Sequence, residues 1–138
     1  MLLWHSPFYV AALMLLVVGL ALHVTLLRMK KKITLGDGGD AELLRAIRRH
    51  GNTFEHAVVL SILALVFDLL RKQNAPFDLS DLNWRIAGEG FLSLGVAARI
   101  AFALGGFRAA KVHQLAAAAT YLSELGISTV ILAIAIFY

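Results

Sequence analysis

RRHGNTFEHAVVLSILALVF, residues 48–67, changes character in its middle. Up to His56 it is polar, with two arginines, two histidines, an asparagine, a threonine and Glu55. From Ala57 to Phe67 only Ser61 interrupts an apolar run, and the block Phe54–Leu70 carries Glu55 and Asp68 as its only charged residues. Three more blocks resemble it. Phe8–Leu27 has no charge, Ile86–Leu104 carries Glu89 and Arg99, and Leu115–Tyr138 carries Glu124 alone. At about 1.5 Å of rise per residue, a helix of about 20 residues crosses a hydrocarbon core of about 30 Å. Lipid offers no partner to a backbone amide, so such spans are helices. The stretch therefore reads as the cytoplasmic edge of a membrane helix, and the chain as an all-α, four-transmembrane-helix bundle. The expected arrangement is one domain over residues 1–138, with spans at about 8–27, 54–70, 86–104 and 115–138. The second helix is expected to extend N-terminally to about residue 41, with Asp40 as its N-cap and Gly36-Asp37-Gly38-Gly39 as the turn before it.

Composition supports this. The chain is 138 residues long, 59% hydrophobic and 16% charged, with mean hydropathy +0.76. Soluble domains average roughly 45–50% apolar and about 25% charged. There is no cysteine, so disulfides, Cys-metal sites and a Cys nucleophile are excluded, and any thiol chemistry must use a thiol brought by a ligand. His50 and His56 have no third ligand beside them, so no metal site is expected. No nucleotide-binding glycine motif, internal repeat or nucleic-acid module is present, and no nucleic-acid partner is expected despite the net charge of +4. The first block lacks a basic n-region and a cleavage site, so it is expected to stay as a span.

Lysine and arginine set the orientation. Arg28, Lys30, Lys31, Lys32, Arg45, Arg48 and Arg49 fall in the first connection, and Arg108 and Lys111 in the third. The second holds Arg71, Lys72 and Arg85, and the termini hold none. The positive-inside rule places the first and third loops in the cytoplasm and both termini outside. The run Arg28-Met29-Lys30-Lys31-Lys32 is a topology anchor that also meets anionic membrane lipid.

At about 100° per residue, Arg45, Arg48, Arg49, Asn52, Glu55, His56 and Val59 share one face about 120° wide. Lipid-facing charge is costly, so this stripe is expected to face protein. Arg99 lies at a similar depth on the third helix, and a Glu55–Arg99 pair, within a subunit or between subunits, would neutralise both. One reading is a buried ion pair that fixes packing. The other is a cationic pocket open to the cytoplasm, suited to an anionic ligand, with Glu55 left for an ammonium or amide. Small residues, namely Gly88, Gly95, Ala97, Ala101 and Gly105 on the third helix and Ala116, Ala117 and Thr120 on the fourth, are expected to form packing faces. Glu124, near the midplane, is either a packing hydrogen bond or the proton carrier of a small exporter.

Leu27-Arg28-Met29, Gly36-Asp37-Gly38-Gly39, Ala46-Ile47-Arg48, His50-Gly51-Asn52 and Glu55, in that order and spacing, resemble the bacterial inner-membrane branch of the MAPEG family, the membrane-associated proteins in eicosanoid and glutathione metabolism. The family's second helix carries an arginine, an asparagine four residues on and a glutamate three further, which Arg48, Asn52 and Glu55 match. Its third helix has Arg-x-x-His-x-x-Gly, which here reads from Arg99 to Gly105 with Phe102 in place of the histidine. The arginine expected at the start of the fourth helix is missing, and His113 and Gln114 occupy that region.

The resemblance implies a homotrimer in the bacterial inner membrane that binds glutathione as co-substrate between subunits. Arg28, Arg48, Asn52, Glu55 and Arg99 would hold it, and Arg99 or Arg108 would stabilise the thiolate. The function it implies is a glutathione-dependent transferase or peroxidase of microsomal glutathione S-transferase type, acting on hydrophobic small-molecule electrophiles. A cationic pocket lowers a thiol pKa, which makes that chemistry coherent. The alternatives are a non-catalytic MAPEG-like protein binding lipid or a partner, and a small proton-coupled exporter using Glu124.

Overall fold

The computed structural model describes residues 6–73, 79–105 and 110–137, and these form four helices and no strand. They are α1 (Ser6–Lys31), α2 (Ala41–Gln73), α3 (Leu79–Gly105) and α4 (Ala110–Phe137). All four are long and apolar enough to cross a membrane. The helices run past the apolar blocks because the flanking residues continue a helix into the interface; Pro7 stands in the first turn of α1, where its missing N–H costs no helical bond. At about 1.5 Å per residue, the 33 residues of α2 make it about 50 Å long, so it outreaches the hydrocarbon.

The α1–α2 connection is built from backbone rules. Lys32 takes a left-handed conformation at φ 56° and ends α1. Its N–H bonds the Met29 carbonyl at 3.3 Å, and the Ile33 N–H bonds the Arg28 carbonyl at 3.1 Å, the two bonds of a Schellman cap. Gly36, Gly38 and Gly39 take φ values of 62°, 59° and 78°, which suit residues without a Cβ. Asp40 then caps α2. Its Oδ1 accepts the Leu43 N–H at 2.8 Å while its carbonyl accepts the Leu44 N–H at 2.9 Å. Lys31 Nζ reaches both Asp40 (2.7 Å) and Glu42 (2.9 Å), tying the end of α1 to the start of α2.

Helix α2 touches the other three helices, while α1 and α4 do not meet among the described residues. The closest packing is between α3 and α4, and α1 lies mainly along α2. The core has three levels. Leu27, Leu43 and Ala46 pack at the basic end, with Ile33 against them. Leu13, Val17, Ala57 and Leu60 fill the middle. Phe67, Leu92, Ile127, Val130 and Ile134 fill the far end. Residues rising along α1 meet residues falling along α2, so the two are antiparallel. Gly95 lets α3 approach its neighbours, since a Cβ there would collide with Ser123 Oγ and come within 2.9 Å of Leu60 Cδ2.

Outward faces of α1 and α4 are apolar, with Leu15, Val18 and Leu22 exposed on one and Leu122, Leu125 and Leu132 on the other, as lipid contact requires. The small-residue expectation holds in part. Gly88, Gly95, Ala116 and Thr120 are buried, whereas Ala97 and Ala101 are exposed and Ala98 and Ala103 take the inner positions.

Candidate functional site

The polar stripe of α2 is divided along its length by the bundle. Arg49, Thr53 and His56 are buried and Asn52 half-buried, whereas Arg45, Arg48, Glu55 and Val59 are exposed on the outside. Positions 49, 52, 53, 56 and 60 follow the 3–1–3–4 spacing of an inward helical face. Positions 48, 55 and 59 lie just around the helix from it, and Arg45 lies on the same arc as the inner positions but one turn nearer the start of α2.

The centre of the inner half is Arg99, which is 0% exposed. Its Nη1 donates to Asn52 Oδ1 at 2.9 Å, and its Nε donates to Thr120 Oγ1 at 2.9 Å. The Thr120 hydroxyl donates in turn to the Ala116 carbonyl at 2.9 Å, one turn back along α4. One guanidinium thus joins α2, α3 and α4. The guanidinium carbon lies 4.4 Å from the centroid of the Phe102 ring, a cation–π contact. His113 covers the same ring, with centroids 3.9 Å apart. Arg99 Nη2 is buried and makes no hydrogen bond among the described residues.

One turn further along both α2 and α4 lies a second pair. His56 Nδ1 and Glu124 Oε1 are 2.7 Å apart, with side chains only 10% and 14% exposed. The Tyr121 ring meets the His56 ring edge-on at 4.9 Å.

Within one chain, then, Arg99 bonds Asn52 and Thr120. Glu55 is exposed and does not pair with it. The intrachain form of the Glu55–Arg99 expectation is corrected accordingly: Glu55 and Asn52 are three residues apart, and the bundle axis passes on the Asn52 side. Arg28 is half-buried, and its Nη1 donates to the Thr34 carbonyl at 3.3 Å, closing the connection after α1. Arg108 lies outside the described residues. Sequence reasoning missed the roles of Thr120, His56 and His113. The usable signal was the matched spacing of Asn52/His56 on α2 and Thr120/Glu124 on α4, four residues in each case.

At the opposite end of the bundle a separate network ties α1, α2 and α3. Arg71 bridges Asp68 (3.3 Å) and Glu89 (3.1 Å). Tyr9 Oη donates to Glu89 Oε2 at 2.8 Å and lies 2.9 Å from Ser93 Oγ, and the Ser6 N–H donates to Asp68 Oδ2 at 3.1 Å. This cluster is fully engaged in holding helices together, which accounts for Glu89.

The model of the MAPEG family matches residues 6–80, more than half the chain, and the protein belongs to that family. Two curated relatives are the inner membrane protein YecN of Escherichia coli K12 and its counterpart in E. coli O6:H1. Each is 36% identical over 64 residues, covering 46% of this chain and 49% of the relative. The match thus spans about half the length of these relatives. No solved structure matches.

Proposed function

We propose that this protein is a multi-pass inner-membrane enzyme of the glutathione transferase or peroxidase type, acting on hydrophobic electrophiles that arrive through lipid. The observation that carries the reading is the divided stripe. Glu55 stands exposed on the outside of α2 within the span, where lipid-facing charge is costly, and Arg48 and Arg45 stand exposed above it toward the start of the helix. A second copy of the chain, in a homotrimer, covers them and closes a site between subunits.

Arg48, Asn52, Glu55, Arg28 and Arg99 then present several guanidiniums and one carboxylate to glutathione, which carries two carboxylates and one ammonium. The thiolate lies near Arg99, or near Arg108 by reach. Loops one and three face the cytoplasm and both termini lie outside, with the basic run after α1 on anionic lipid.

Phe102 favours a second reading, a non-catalytic family member. It fills the place of the family histidine and packs against both Arg99 and His113, so this part of the site is built for packing. The test is conjugation of glutathione to a generic aryl halide by purified protein. Turnover that falls at least about 100-fold in Arg48→Ala, the scale of one charge-assisted contact made in the transition state, supports the enzyme. Glutathione binding without turnover over a panel of electrophiles supports the non-catalytic reading.

A further inference from the structure

The buried histidine–carboxylate pair has no role in the function above, although it lies directly against the site. We infer that His56, oriented by Glu124, is the base that takes the proton from a thiol bound beside Arg99, an inference that rests on the glutathione reading.

The geometry is the starting point. Asn52 and His56 are four residues apart on α2, and Thr120 and Glu124 are four apart on α4, so each pair is offset by about 6 Å along its helix. Asn52 and Thr120 both hold Arg99, at 2.9 Å each. His56 and Glu124, 2.7 Å apart, therefore form the next layer below the guanidinium. A carboxylate at Nδ1 holds the neutral ring in the tautomer that keeps its proton on Nδ1 and leaves the lone pair of Nε2 free. That arrangement makes a base of Nε2 and a positioning residue of Glu124. Tyr121 packs edge-on against the ring and limits its rotation.

Charge supplies the second reason. In the state the proposal requires, with Arg99 positive, Glu124 ionised and His56 neutral, the layer sums to zero. When the S–H bond breaks, its electron pair stays on sulfur and the proton forms a bond to Nε2. The thiolate is then balanced by Arg99, and the imidazolium by Glu124. The sum is unchanged, and no proton has to leave a low-dielectric site for bulk water. Without the pair, a thiol ionising beside Arg99 would have to send its proton out of a layer whose guanidinium is fully buried. Among the described residues, the titratable groups in contact with His56 are Glu124 and Tyr121 from α4, and Arg99 from α3 is bonded one turn away, at Asn52. On α1, His23 lies between the level of Val17, packed with Ala57, and that of Leu27, packed with Ala46.

The experiment is a titration of glutathione into the intact oligomer in detergent, for wild type, His56→Gln and Glu124→Gln. Thiolate is read by its ultraviolet absorbance, and proton release by calorimetry in two buffers of different ionisation heat. The proposal expects wild type to form thiolate with little proton release. His56→Gln should still bind glutathione but lose the bound thiolate, or release one proton for each thiolate formed, and conjugation should fall about 100-fold or more, as for loss of a general base. Glu124→Gln keeps the shape of the pair but admits the other tautomer, and should lose part of the same effect, with a shifted pH profile.

Unchanged thiolate, proton release and pH profile in both variants would overturn the proposal and leave the pair as packing. Wild type that binds no glutathione would overturn the functional reading and this proposal with it. Should the variants fail to fold, nitrogen NMR of wild-type histidines decides: a free Nε2 lone pair on His56 supports the base, and a proton on Nε2 in the neutral ring refutes it.

Discussion

Thr120→Val is the sharpest probe of the Arg99 layer. Valine fills nearly the volume of threonine but offers no acceptor, so the Nε–H of a guanidinium that is 0% exposed loses its partner at 2.9 Å. Neutral hydrogen bonds between membrane helices average only about 0.6 kcal/mol, with a maximum of about 1.7. A bond to a charged group is worth about 1.5–3 kcal/mol, and arginine cannot escape by losing its proton. The charged case governs here because the donor is buried, so the expected loss is about 2 kcal/mol, some thirtyfold in the folding equilibrium. Thr120→Ser keeps the hydroxyl and removes one methyl, a loss of about 0.8 kcal/mol. The assay is reversible unfolding in mixed micelles followed by circular dichroism, with all three proteins under the same conditions. The order expected is wild type, then serine, then valine. Valine as stable as serine, or within about 0.5 kcal/mol of wild type, the usual scatter of surface changes, would refute the claim that this hydroxyl holds Arg99.

Gly95→Ala places a Cβ against Ser123 Oγ and within 2.9 Å of Leu60 Cδ2, and should cost about 1–3 kcal/mol as overpacking; a melting temperature equal to that of wild type would contradict it. Lys32→Gly relieves a left-handed lysine at φ 56°. Relief of about 1–2 kcal/mol less glycine's extra chain entropy of about 0.5–1 predicts a gain of about 0.5 kcal/mol, read in the same unfolding assay. The Asp40 carboxyl is held below the usual value of 3.8 by its hydrogen bond from Lys31 and then by the Leu43 N–H. Because the folded value is the lower one, its contribution is present above the unfolded value and is lost as pH falls through the folded one. Acid titration of α2 helicity should show this loss in wild type and not in Asp40→Asn.

The four helices were legible because hydropathy comes in blocks of span length, and the Asp40 cap because an aspartate follows a glycine-rich turn. The inner edge of α2 was not legible. Helical periodicity groups residues 45–59 on one arc, but α2 touches three other helices, and the arc alone does not say where the bundle axis crosses it. Glu55 looked like the partner of Arg99 because charge and depth agreed; a rotation of less than one residue's spacing gave that place to Asn52. The His56–Glu124 pair was hidden for a related reason, since each residue has an ordinary packing explanation until the helices are laid side by side. Arg108 lies outside the described residues.

The claim on which the functional account stands is that the α2 stripe binds glutathione, and calorimetry on the detergent-purified oligomer tests it most directly. Wild type, Arg48→Ala, Asn52→Ala and Glu55→Gln are compared, each checked for folding by circular dichroism. The account predicts micromolar to low-millimolar binding in wild type and its loss in the three variants. A well-folded wild-type oligomer that takes up no glutathione would contradict it, and the stripe would then be a device for packing helices and subunits alone.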